Sequence, residues 1–501
     1  MREINEEIAH FEWELLRKDY SFEYGLDDVS ISNGKSTINL VDLDIKKVRF
    51  WRDDDYQLNL EISGNGDINS KLIPSDARNS LLWEKTRISV VAIKTRYDFS
   101  GCNFVSSKTD SICSLDKIPV NFTLTFHVHK IHSIYQESVS PIWLNEWYIN
   151  GPSDPFIFTQ GTEMIKNISY TFKRSTDDNG FEYIPFSSGI PVFSESHVYI
   201  QSEGMSPSFI LSSVPKEYAK PNTANLRVEY HTKFGEIPDE KIRKSVADIT
   251  GFVVGKQLIN MGHTSYDERG DIVEFVAYTP SSNLNLKGFG RFSPYLPPIN
   301  INVCRAGTDV SLILPKLIAT YLNVLKKYYL PDVLSRYWLG LNMPAGINIP
   351  ILQNCLEILT KCVLEGNPKI DLYAKKRPKG ECKGFKNCFP KLCSKLNIFL
   401  SPVEHKALDL RNDMTHSLRI LDDFTNEELK EEYTKYLVYV LLFHRVFLRC
   451  LDYDGKYVDY STNTNDLTNH YCDRPIFQCA CCPHDPQGVF YENLHGTPLQ
   501  P

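Results

Sequence analysis

The segment Leu408–Ser417 sets an arginine and a histidine five positions apart, Arg411 and His416, with the short polar side chains of Asn412 and Asp413 directly after the arginine. On a helix, such a pair presents a fixed cation and an imidazole on neighbouring edges. The guanidinium stays charged and grips a phosphate through its fork. The imidazole takes or gives a proton near neutral pH. Together they suit transesterification of RNA, in which the 2′-OH attacks its own phosphodiester. A base, an acid and a cation for the developing charge suffice for that step. Spacing alone leaves a second reading open, an arginine and a histidine exposed on a solvated helix face.

The stretch 369–396 supplies the electrostatics that such chemistry needs. It holds nine basic residues, among them Lys375, Lys376, Arg377, Lys379, Lys383 and Lys386, against two acidic ones, Asp371 and Glu381. That local balance of +7 lies in a chain whose formal net charge is -7. A basic segment beside a phosphodiester site is the footprint of a polyanion partner. Tyr373, Phe385 and Phe389 are candidates to stack on bases. The competing reading is a solvated loop that serves solubility.

Cysteines form the third set. Eleven of the 13 lie at or after Cys304, and Cys472, Cys479, Cys481, Cys482 and His484 fall within thirteen residues. Thiolates and an imidazole can hold a tetrahedral structural zinc, and Cys472, Cys479, Cys482 and His484 are the candidate ligands. Cys382, Cys388 and Cys393 form a looser set that could share it. Reduced free thiols are the alternative. His127, His129 and His132 resemble a metal triplet only at first glance and read as polar residues on an exposed strand face.

These residues need elements to position them. The chain has 501 residues with 42% hydrophobic and 23% charged side chains, a globular balance that excludes general disorder. No apolar run approaches the ~20 residues of a membrane span, and Tyr436–Phe443 is ended by His444 and Arg445. Met1–Glu7 is acidic and lacks an apolar stretch, so no secretory signal is expected. A cytoplasmic protein with reduced cysteines follows.

Residues 1–300 read as β-rich, with short apolar runs and turn signals such as Ser63–Asp67. Alternation over 120–128 is strict, with Val120, Phe122, Leu124, Phe126 and Val128 on one face. A helix is expected near 238–255. Helical spacing then recurs over 312–329, 332–341, 349–364, 391–398, 402–421 and 425–451, which predicts an up-and-down bundle over 306–453. Residues 454–501 read as an irregular Cys-rich tail.

Arg411–His416 resembles the arginine–polar–histidine signature of the HEPN superfamily of all-helical domains, many of them ribonucleases in toxin and phage-defence systems. Ser335–Leu339 and Ile351–Leu359 are similar to the early helices of that domain, including its glutamate, here Glu357. Phe252–Leu258 looks like segments common just before such domains. The whole layout resembles the ApeA-type abortive-infection proteins. The resemblance covers about 310–450 well and 1–300 thinly.

It implies an α+β multidomain protein: a β-rich N-terminal sensor region, an all-α HEPN-like bundle and the Cys-rich tail. It implies Arg411 and His416 as the catalytic pair, with Asn412 and Glu357 beside them. It also implies a homodimer with a composite site, RNA cleavage without a cofactor leaving a 2′,3′-cyclic phosphate, tRNA as the suggested substrate and a phage protein as the trigger. The rival expectation is a HEPN-like module that binds RNA or a partner without cutting.

Overall fold

A computed structural model describes residues 20–66, 86–110, 121–173, 193–213, 226–280, 296–369, 384–409 and 425–460, with breaks of at most six residues inside these spans. Leu372 and the strands Cys472–Pro475, Phe490–Glu492 and Thr497–Leu499 are also described.

The β-rich region forms two antiparallel sheets. The smaller runs Tyr20–Phe22, Asp44–Arg52, Leu58–Asn65, Asn121–Val128 and Asn103–Asp110 from edge to edge. The larger has thirteen strands. Its central order is Phe209–Ser213, Leu226–His231, Trp143–Ile149, Ile259–Tyr266, Ile272–Tyr278, Lys130–Ile134, Thr95–Ser100 and Arg87–Ala92. The alternation expected over 120–128 is present. Phe122, Leu124, Phe126 and Val128 are buried, while the residues between them are part-exposed or exposed.

Pairing registers show how the large sheet is used. Leu144, Val228 and Tyr230 share a face with His263, Glu274 and His132, whereas Phe275, Ala277, Ile131 and Phe99 share the opposite one. The first face buries Leu144, Val228 and Tyr230 in a core with Val246, Ile249 and Phe252 of helix α1 (Glu240–Val254). The second buries Phe275, Ala277, Ile131 and Phe99 against Phe50, Leu60, Ile62 and Phe126 of the smaller sheet. One sheet therefore backs two cores, on opposite faces at its two ends. The period-two alternation of its strands is what permits this.

Arg52 ties the smaller sheet to the larger. Its buried guanidinium donates to the carbonyls of Tyr56 (2.7 Å), Tyr278 (2.8 Å) and Met261 (3.2 Å). Loss of hydration pushes its pKa down to about 9, so the group stays charged at neutral pH.

Helix α1 begins where Asp239 Oδ1 accepts the Ile242 N–H (2.8 Å) and ends at Gly255 in the left-handed region. A side chain at Gly255 would collide with the backbone of Leu296 and Pro297, so the return of the chain to the bundle requires glycine here.

Six described helices follow: α2 (Val310–Tyr328), α3 (Leu330–Leu341), α4 (Asn348–Glu365), α5 (Phe385–Lys395), α6 (Pro402–Asp409) and α7 (Asn426–Cys450). Every residue from Tyr436 to Leu448 is buried, so α7 is surrounded by protein along this stretch. The bundle core is continuous with the sheet core through Phe252, which packs on Tyr337, Phe443 and Phe447. Among the described residues, no helix is long and apolar enough to cross a membrane.

Two expectations need correction. Helix α5 spans 385–395 rather than 391–398: the chain enters it at Gly384 and Pro390 lies inside it. The region after 454 is not wholly irregular. Lys456–Asp459 pairs with Cys472–Pro475, and Phe490–Glu492 with Thr497–Leu499. Tyr457, Val458 and Tyr460 belong to the bundle core, so the chain stays packed past residue 453.

Candidate functional site

The approach to Arg411 is built by a four-residue box. Ser401 Oγ accepts the Glu404 N–H (3.1 Å) and Glu404 Oε2 accepts the Ser401 N–H (2.8 Å), with Pro402 opening α6. This reciprocal capping satisfies two donors at the helix start. The other carboxylate oxygen, Oε1, takes Nη1 of Arg445 on α7 at 2.7 Å, and neither side chain is exposed. Arg445 Nη2 also donates to the Phe399 carbonyl (2.8 Å). Burial raises the Glu404 pKa, and the Arg445 charge opposes that shift. Further along, the Tyr439 hydroxyl of α7 donates to the Ala407 carbonyl (3.1 Å).

The described part of α6, Pro402–Asp409, is thus joined to α7 at two places, and Arg411 follows two positions later in the sequence. Arg411, Asn412 and His416 themselves lie outside the described residues.

Glu357 is described. It sits buried on α4, and its Oε1 lies 3.3 Å from Lys361 Nζ, one turn later. Gln353, one turn earlier, is buried too, so α4 carries a polar line of Gln353, Glu357 and Lys361 at helical spacing. Neighbouring Asn354 accepts from Arg336 of α3 (3.1 Å). Lys361 and the Glu404–Arg445 pair escape motif reading. The signal for the second was present in Ser401–Glu404, a serine followed three residues on by a glutamate.

Of the basic candidates, Lys386 stands exposed in the first turn of α5. Lys391 and Lys395 are exposed on the same helix, and Lys395 reaches the Val363 carbonyl (2.8 Å). Lys375, Lys376, Arg377, Lys379 and Lys383 lie outside the described residues, as does Tyr373. Phe385 and Phe389 do not serve as stacking platforms. They are 2% and 0% exposed and pack on each other at 5.1 Å inside the bundle core. Their spacing of four is a core stripe, and hydrophobic burial takes precedence over base contact.

Cys472 opens a strand opposite Asp459, and Cys479, Cys481, Cys482 and His484 lie outside the described residues. Cys388 and Cys393 do not form a common ligand pair. Cys393 packs in the bundle core, whereas Cys388 packs with Leu372 and Leu364. Burial pushes the Cys393 thiol well above its ordinary range, away from the thiolate that metals require. Among the described residues, no group of three or more His, Cys, Asp and Glu is placed to hold a metal ion.

The three histidines of 127–132 take separate roles. His127 bonds Asn59 (2.8 Å), His129 lies in the link between two strands within 3.4 Å of Asn103, and His132 bonds Glu274 (2.8 Å) on the larger sheet.

No family model, curated protein or solved structure matches the chain.

Proposed function

We propose that the chain is an endoribonuclease effector of antiviral defence, working through Arg411 and His416. In this reading the imidazole moves the proton of the attacking 2′-OH or of the leaving 5′-oxygen. The guanidinium stabilises charge on the scissile phosphate, and Asn412 hydrogen-bonds beside it. Lys386 and its basic neighbours draw the polyanion in. Two copies would face each other to complete the site, the region 1–300 would sense a phage component, and 306–453 would cut. A tRNA is the first substrate to try, the cytoplasm is the expected compartment, and a zinc at Cys472, Cys479, Cys482 and His484 would be structural.

The observation that carries this reading is the buried Glu404–Arg445 pair, which anchors the helix that delivers the chain to Arg411. A catalytic arginine needs such a foundation, because misplacement by about 1 Å costs roughly a hundredfold in rate. The test is incubation of the purified full chain with RNA in EDTA. Cleavage leaving 2′,3′-cyclic phosphate ends, abolished in Arg411→Ala and His416→Ala, supports it. Uncut RNA under activating infection, or equal cutting by both variants, overturns it.

One observation favours the rival, a non-catalytic RNA or partner binder: the Glu357 carboxylate is engaged by Lys361. Salt-dependent RNA binding without cutting, unchanged by His416→Ala, would select that reading.

A further inference from the structure

Phe399 is 69% exposed, more open than any other large apolar side chain among the described residues. It stands in the link between α5 and α6, and that link is held on both sides of it. The Ile398 N–H reaches back to the Cys393 carbonyl (2.8 Å), and the Ile398 side chain is buried. From α7, Arg449 Nε donates to the Leu396 carbonyl (3.0 Å) and Arg445 Nη2 to the Phe399 carbonyl (2.8 Å). Ser401, two residues on, is fixed by its capping box with Glu404. The ring is therefore presented to solvent from a pinned backbone, so little conformational freedom is lost when something covers it.

The chain around this ring is cationic. From Cys382 to Val403 the sequence holds four lysines and no acidic residue. The next acid, Glu404, is fully buried and paired with Arg445. Lys386, Lys391 and Lys395 are exposed on α5. Lys391 and Lys395 are four residues apart, a rise of about 6 Å, so they share one side of the helix. Lys395 rests on the Val363 carbonyl (2.8 Å), and an ammonium carries three donors, so two remain for another acceptor. The chain turns off α5 directly after Lys395, with the Leu396 N–H bonded to the Leu392 carbonyl (2.9 Å), so Phe399 follows at the same end of the helix.

We propose that Phe399 stacks on an unpaired base of RNA while Lys391 and Lys395 hold the phosphates beside it. This deepens the ribonuclease reading and rests on its choice of RNA as the partner. It commits the substrate class to RNA with a single-stranded stretch. In a duplex the bases already stack on each other, and only splayed-out bases offer a face to an aromatic ring. Charge separates this occupant from a second copy of the chain: a symmetric contact would set lysines against lysines, whereas a phosphate chain complements them. The sequence pointed to Phe385 and Phe389 as stacking rings. Both are in the core, and the ring that the fold leaves open is Phe399.

The test is fluorescence anisotropy with the full chain carrying His416→Ala, which keeps the probe intact, and a labelled oligoribonucleotide, alone or annealed to its complement. The single strand binds more tightly than the duplex. Adding Phe399→Ala weakens single-strand binding about tenfold, the usual worth of one stacked base, while Phe399→Trp retains it. Lys391→Gln weakens binding to both probes and lowers the salt dependence by about one phosphate contact. Both positions are exposed, and thermal melts verify that the variants fold. Equal single-strand affinity in Phe399→Ala, preference for the duplex, or no RNA binding at low salt overturns the proposal. So does a smaller particle mass for Phe399→Ala by light scattering, which assigns the ring to contact between copies. Cleavage is read separately with the parent chain. RNA bound through Phe399 but left uncut fails the nuclease reading alone, and RNA cut while Phe399→Ala binds unchanged fails this inference alone.

Discussion

Glu404 and Arg445 form a 2.7 Å ion pair with both side chains fully removed from solvent, joining the short helix α6 to the buried helix α7. Taking two charges out of water is costly, and the pair persists because each partner also bonds the backbone: Glu404 accepts from Ser401 N–H and Arg445 donates to the Phe399 carbonyl. Replacing either partner alone strands a buried charge. Glu404→Ala or Arg445→Ala is expected to destabilise the fold by about 3–5 kcal/mol. The double variant Glu404→Leu with Arg445→Met is expected to lose markedly less. Urea unfolding of the three variants checks this, and a double variant as unstable as the sum of the singles would contradict it.

Arg411→Ala and His416→Ala are expected to lower RNA cleavage by roughly 10²–10⁴-fold, the usual worth of a proton-transfer or charge-stabilising group. Arg411→Lys keeps the charge but not the fork, and is expected to remain strongly impaired. Cleavage kinetics in EDTA, with circular dichroism as a fold control, decide the matter.

His444 is buried in α7, and its Nε2 lies 2.6 Å from the Tyr337 hydroxyl. Burial pushes its pKa down to about 3, so the folded protein holds it neutral. The unfolded chain binds a proton there near pH 6.5, so its contribution is fully present above that pH and is lost progressively as pH falls towards about 3. His444→Gln is expected to flatten the decline in stability between pH 6.5 and 4. Unfolding titrations at stepped pH measure it, and an unchanged slope would refute this.

Asp248 of α1 accepts from the Tyr321 hydroxyl of α2 (3.0 Å), at the seam between the sheet-packed helix and the bundle. Burial raises its pKa to about 6, with the Tyr321 bond and Lys244 working against the shift. A raised acid favours the fold below its unfolded value, and that favour is lost as pH rises through about 6. Asp248→Asn keeps an acceptor for Tyr321. It is expected to raise Tm at pH 7.5 and to give no gain at pH 4. A Tm difference independent of pH would argue against the assignment.

Local pattern was enough to place most of the described helices but few of the strands. The alternation at 122–128 marked a half-buried strand, and Pro238 marked the start of α1, because both signals act within a few residues. Helix α5 was misplaced because Pro390 reads as a breaker, although the chain already turns helical after Gly384. The helix expected over 425–451 is present as α7, but the burial of Tyr436–Phe443 on every side was hidden, because an apolar run does not show which neighbours will cover it.

What the chain order alone determined, then, was the succession of a β-rich part and a helical part. Tertiary structure decided which charges were partners. Glu404 and Arg445 stand 41 positions apart, Glu146 and Arg243 stand 97 apart, and only folding brings each pair within 3 Å. It also decided that one sheet supports two cores on opposite faces, since a strand's alternation names two faces but not what will cover each. Coverage depends on strand order and register, which are settled by long-range burial rather than by any local preference.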